Sequence, residues 1–315
     1  MTVAVSAGAG REAPAAPRHR SLRSRKKREA ALAYLFILPA LLIFSVFVFY
    51  PFLRNFKLAL YENPPYPNLP SHYVGLHQAA TVLSSSAFLQ SLLSTILFVL
   101  MVVPTGLFLG LALAVAAHRK LQGIAIYRVI FSSTVVSSVA VAALVFGTLM
   151  NPVVGLLPWL GINPTPSILQ NPTWALPAVA LMTVWQFLGL SFIIMSAGLQ
   201  SVPDDLLEAA RIDGASAWTR FWRITVPMLS PTLFFGVVVG TIYAFQSFGQ
   251  IDILIGPSNA AGVHANVLIY YIYESLQIDN NAGQAAVLSI VLFVITLSLT
   301  LVQMRYLERR VTYAR

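Results

Sequence analysis

The 315-residue chain contains no cysteine. Disulfides, thiolate metal sites and cysteine nucleophiles are therefore excluded. Charge is the next scarcity: 10% of residues are Asp, Glu, Lys or Arg, against 57% hydrophobic. A soluble domain carries about 25% charged residues, so this composition does not suit a water-exposed globule. The five histidines (His19, His72, His77, His118, His264) are scattered through tails and connections, which gives no metal-ligand spacing. No G-x-x-x-x-G-K-[S/T] is present, and none of Lys26, Lys27, Lys57 and Lys120 follows a glycine, so the chain holds no nucleotide-binding P-loop. HExxH and GxSxG are missing as well. No catalytic constellation and no metal site is expected.

What is present is apolar sequence in long runs, with a mean hydropathy of +0.74. Runs of about 20 apolar residues are the length that crosses a bilayer as helix. Six spans are predicted, near 31–52, 88–117, 124–149, 174–199, 232–255 and 284–305, in an all-α polytopic membrane protein. Residues 1–30 read as a basic cytoplasmic tail, its first part rich in Ala, Gly and Pro and without fixed structure. The uncharged run from Ala30 to Phe52 is longer than a cleavable signal segment. The transmembrane domain is 31–305, and 306–315 is a C-terminal tail. A proline-rich stretch near 60–73 reads as an extended external connection. The uncharged segment 151–173 suits a short re-entrant or interfacial piece, with Trp159 at headgroup depth.

The positive charges fix an orientation. Eighteen of the twenty Lys and Arg fall in the N-terminal tail, the 119–128 connection, the 201–231 connection and the C-terminal tail; Arg54 and Lys57 alone lie on the other side. By the positive-inside rule both termini and residues 201–231 are cytoplasmic. Topology and anionic lipid explain these basic clusters without nucleic acid.

Residues 201–231, SVPDDLLEAARIDGASAWTRFWRITVPMLSP, are the polar insert between two apolar spans. They predict two short helices joined at Gly214. Ser201 and Asp204 have the spacing of a capping box, and Pro203 suits a first turn. Asp204, Asp205 and Glu208 sit at the positive end of the helix dipole. Leu206, Leu207 and Ala210 form an apolar stripe, and Gly214 ends the helix. From this grammar alone the hairpin fits either a docking element for another protein or an interfacial piece resting on lipid through Trp218, Phe221, Trp222, Arg220 and Arg223.

The pattern E-A-A-x-x-D-G-A followed by I-x-x-P occupies Glu208, Ala209, Ala210, Asp213, Gly214, Ala215, Ile224 and Pro227. It resembles the coupling loop of ABC importer permeases. The resemblance extends over residues 30–315, towards the carbohydrate-uptake branch. The tail VLSIVLFVITLSLTLVQMRYLERRVTYAR is similar to the A-type permease of glycerol 3-phosphate and glycerophosphodiester importers. This implies docking of Glu208, Ala209, Ala210, Asp213, Gly214 and Ala215 on a homodimeric P-loop ATPase. It also implies a second homologous permease, an extracytoplasmic substrate-binding protein and a bacterial inner-membrane location. ATP and Mg would lie on the ATPase, with no cofactor in this chain.

Polar residues inside the later spans are candidates for a translocation path: Gln186, Tyr243, Gln246, Ser247 and Gln250. Amides bond hydroxyls and rings stack on sugar C–H faces; the same residues also suit interhelical hydrogen bonds. No Lys or Arg lies deep in a span, a departure from what a phosphate ligand would use. The substrate readings are glycerol 3-phosphate or a glycerophosphodiester, and a neutral mono- or oligosaccharide. A gradient-driven carrier usually needs intramembrane carboxylates, and the spans supply few.

Overall fold

The computed structural model describes residues 22–62, 71–118, 123–161, 167–256 and 265–307. The chain forms two compact units, Met1–Arg54 and Asn55–Arg315. The first contains α1 (Leu22–Phe44), a π turn (Ser45–Phe49) and the start of α2 (Tyr50–Leu58). The apolar stretch Leu32–Leu58 is long enough to cross a membrane, and none of its most apolar window is buried. Helix α1 begins nine residues earlier than the span expected at 31. Residues 22–30 contain no Gly or Pro and are mostly strong helix formers, so the basic end of the tail continues the helix.

The second unit opens with a two-stranded antiparallel ribbon, β1 (Tyr61–Glu62) on β2 (His72–Tyr73), with Tyr61 opposite Tyr73. The prolines of the 60–73 connection lie outside the described residues. Then come α3 (His77–Ser84) and α4 (Ser86–Ala117). Ser85 caps α4, its hydroxyl accepting the Phe88 N–H at 3.2 Å.

The expected third span is not one helix. α5 (Ile124–Ser132), continued by a 3-10 turn (Ser133–Val136), meets α6 (Val139–Leu149) at 102°. The hydroxyl cluster in Ser-Ser-Thr-Val-Val-Ser-Ser makes the corner. Ser137 Oγ donates to the Thr134 carbonyl at 2.7 Å, and Ser138 Oγ accepts the Val141 N–H at 3.2 Å. One serine closes the first arm and the next caps the second.

In the 151–173 segment lies α7 (Leu156–Trp159), with Trp159 88% exposed. The long helix α8 (Ala175–Gln200) follows, close to its expected bounds. The 201–231 insert forms α9 (Asp204–Ile212), α10 (Ala217–Arg220), a π turn (Phe221–Thr225) and α11 (Val226–Met228).

The expected fifth span is also broken. α12 (Ser230–Phe245) stops at Gln246, and α13 (Gly249–Leu254) follows after a turn. Gly249 lets α13 approach α6; a Cβ there would lie 3.1 Å from Val139 Cγ1. Finally come α14 (Leu268–Tyr273), a π turn (Glu274–Ile278) and α15 (Ala282–Leu307). Asn281 caps α15, its Oδ1 accepting the Gln284 N–H at 3.0 Å. Among the described residues four stretches are long and apolar enough to cross a membrane, or up to six if the bent pairs Ile124–Val136 with Val139–Leu149 and Ala217–Met228 with Ser230–Phe245 are each one span.

Helix α8 is the centre of this unit, packed against α4 on one side and α12 on another. Glycine spacing makes the close approach possible. Gly106 and Gly110 of α4 face Phe187 and Ser191 of α8, and Gly240 of α12 faces Phe187 as well. Phe98, Val102, Val179, Met182, Phe187 and Met195 lie in the resulting core without measurable exposure.

Candidate functional site: the 201–231 hairpin and the amide cluster

The hairpin owes its shape to three local devices. Helix α9 ends in a Schellman motif: the Gly214 N–H donates to the Arg211 carbonyl at 3.1 Å, and the Ala215 N–H to that of Ala210 at 2.9 Å. Gly214 has φ +78°, a conformation a side chain resists. Ser216 then caps α10, its Oγ accepting the Thr219 N–H at 3.2 Å. Arg220 Nη1 donates back to the Ala215 carbonyl at 2.8 Å and ties the second arm to the turn. Ser216 and Arg220 were not singled out from the sequence for these roles, although S-A-W-T carries an N-cap signal.

The expected capping box at Ser201 does not form. Pro203 is the N-cap residue of α9 and makes no side-chain cap. Ser201 instead closes α8, its Oγ donating to the Gly198 carbonyl at 2.7 Å. The preceding helix runs to Gln200, so its end claims the hydroxyl first.

Glu208, Ala209, Asp213 and Gly214 are exposed, whereas Ala210 and Ala215 are half-buried. The expected apolar stripe divides. Leu207 packs on the core, while Leu206 is exposed, as is Ile212 at 87%. The outward face of α9 is thus a ridge of small, acidic and apolar groups. Behind it is a recess of about 380 Å3, whose lining includes His118, Asp204, Leu207, Glu208, Arg211 and Phe221. It joins the hairpin to the ends of α4 and α8.

The five candidate path residues are not brought together as one set. Gln250 Nε2 donates to Gln186 Oε1 at 3.2 Å, with both side chains buried. Tyr243 stacks on Phe187 at 5.4 Å between ring centroids and lies beside Gln250. These three form one amide–phenol cluster joining α8, α12 and α13. Ser247 turns away from it, its Oγ donating to the Tyr243 carbonyl at 3.0 Å. Gln246 is exposed and lines a separate recess with Ile269, Ser289 and Thr296. The break after Phe245 sends consecutive side chains to different sides.

A second polar cluster was not found from the sequence. Phe248, Tyr270 and Tyr273 pack together with centroid separations of 4.9–6.0 Å. Beside them Asn266 Nδ2 donates to Glu274 Oε2. Burial pushes the Glu274 carboxyl above its ordinary range; the Asn266 bond lowers it and Asp279 raises it. The residues are spread over 248–274 without a motif, so only folding places them together.

A polytopic helical bundle with broken spans, a buried amide cluster and an exposed polar hairpin defines a membrane transport subunit. The chain belongs to the family described as binding-protein-dependent transport system inner membrane component, which matches residues 71–313. It is 35% identical over 290 residues to the sn-glycerol-3-phosphate transport system permease protein UgpA of Agrobacterium fabrum, covering 90% of this chain and 96% of that one. It is 33% identical over 285 residues to the trehalose/maltose transport system permease protein MalF of Thermococcus litoralis, covering 89% and 95%. The fold is that of a chain in the crystal structure of a bacterial ABC transporter that imports alginate. That match has a TM-score of 0.79, at 21% identity, over 92% of this chain and 99% of the other.

Proposed function

We propose that this chain is the permease subunit of an ATP-driven importer for glycerol 3-phosphate, glycerophosphodiesters or a related sugar. It pairs with a second, similar permease and receives substrate from an extracytoplasmic binding protein. A homodimeric P-loop ATPase, carrying ATP and Mg, docks on the hairpin through Glu208, Ala209, Ala210, Asp213, Gly214 and Ala215. The positive-charge distribution supports an orientation with both termini in the cytoplasm. The observation that carries the reading is the hairpin: a Schellman turn and a serine cap hold an exposed Glu208–Ala209 ridge clear of the bundle. ATPase closure pulling on that ridge would rock the α4–α8–α12 core between inward- and outward-open states. The relatives' names support the substrate class.

A neutral mono- or oligosaccharide is the second reading. The Gln186–Gln250–Tyr243 cluster favours it, because α4, α8, α12 and α13 carry no Lys or Arg. Such a cluster meets hydroxyls, not a phosphate dianion.

The first test is a detergent pull-down of this chain from its native cells, with mass spectrometry of the co-eluting proteins. A P-loop ATPase, a second permease and a binding protein support the importer, and the binding protein is then screened against glycerol 3-phosphate and sugars. A homo-oligomer without ATPase overturns it and points to a gradient-driven carrier.

A further inference from the structure

We propose that the second arm of the hairpin, Ala217–Met228, is a membrane-interface anchor. It binds the anionic headgroups of the bilayer and so sets how far the Glu208 ridge stands off the membrane. The arm meets the span Ser230–Phe245 at 65°. Spans tilt from the bilayer normal by about 20° on average, so the arm leans away from that normal by roughly 45–85° and runs across the span rather than along it. Its two sides differ. Thr225 and Leu229 are buried, and Phe221 lines the recess behind α9. Trp218 and Trp222, four residues apart, are 72% and 51% exposed, with their rings edge-to-face at 5.6 Å. Trp222 lies within the Phe221–Thr225 π turn, in which it is exposed while Thr225 is buried. Indoles exposed in this way prefer headgroup depth, where the ring is shielded and the N–H is wet.

Charge selects the occupant. Residues 217–231 contain no Asp or Glu; Arg223 is exposed, while Arg220 is half-buried at the recess behind α9 and bonded to the Ala215 carbonyl, and α9 and its turn carry Asp204, Asp205, Glu208 and Asp213 against Arg211. Anionic headgroups attract Arg223 and repel the acidic set. The hairpin is thereby sorted into an acidic arm facing a protein and a cationic, aromatic arm facing lipid. The anchor is independent of which substrate is carried.

The test uses the full complex in nanodiscs of phosphatidylcholine, with and without phosphatidylglycerol. Tryptophan quenching is read with phosphatidylglycerol brominated near its headgroup end. The expected result is strong quenching that falls in Trp218→Phe/Trp222→Phe, and falls in Arg223→Glu for the brominated anionic lipid but not for its zwitterionic counterpart. Equal quenching in wild type and the double variant overturns the proposal. Because that variant could misassemble, a photo-crosslinking residue in place of Trp218 gives an independent reading. A lipid adduct supports the anchor, and an adduct confined to the ATPase or the second permease overturns it.

Discussion

Phe187 of α8 fills the space in front of Gly106 of α4: a Cβ at position 106 would stand 2.5 Å from Phe187 Cδ1. The same ring meets Gly240 of α12, where a Cβ would lie 2.8 Å from its Cζ. One aromatic side chain thus sets the spacing of three helices, and its neighbour Gln186 carries the amide of the buried cluster.

Gly106→Val should overpack this contact at a cost of about 1–3 kcal/mol. It is checked by thermal unfolding of the detergent-solubilised chain. Phe187→Leu in the same chain should recover part of the loss, because the two sites share one contact. A pair of additive losses would show that the ring does not set the spacing.

Gln250→Leu removes the partner of Gln186 and the polar neighbour of Tyr243. Substrate uptake should fall at least tenfold while the amount of assembled complex stays near wild type. Uptake assays with quantified complex distinguish this from interhelical glue, for which assembly would fall in step with transport.

Glu208→Arg should abolish co-purification of the ATPase while membrane insertion is unchanged. Gly214→Asn should be better tolerated than Gly214→Val, because Asn accepts positive φ more readily than a β-branched residue. ATPase recovered in affinity pull-downs reads both effects. Full recovery with Glu208→Arg would remove the docking assignment.

Glu274 lies outside the spans, and burial holds its pKa above the ordinary carboxylate value. A raised folded-state pKa gives stability that is complete in acid and lost as pH rises through that value. At neutral pH the charged group therefore costs stability. Glu274→Gln, which keeps an acceptor for Asn266, should melt higher than wild type at pH 7, and the gap should close near pH ~4. Melting curves at the two pH values check the sign.

Apolar run length and charge placement were enough to make this a multi-span helical protein, because the bilayer imposes its thickness on any crossing helix. The E-A-A-x-x-D-G-A string and Gly214 marked the hairpin, since its turn is closed by bonds within six residues. Other features needed the fold. The 102° corner at Ser137–Ser138 and the break after Phe245 lie inside apolar runs that read as unbroken, and local hydroxyl bonds and helix packing decide them. Ser201 has the spacing of a cap for α9, yet it serves α8, because two helix ends compete for one hydroxyl. Gln186 and Gln250 are 64 residues apart in sequence and meet at 3.2 Å. The sequence by itself determined the class, the apolar stretches and the hairpin, all of which follow from local chemistry and the solvent. Which polar side chains share a cluster, and which of Gln246, Ser247 and Gln250 turn towards it, only tertiary packing decided, because a broken helix redirects neighbouring residues by angles that no periodicity encodes.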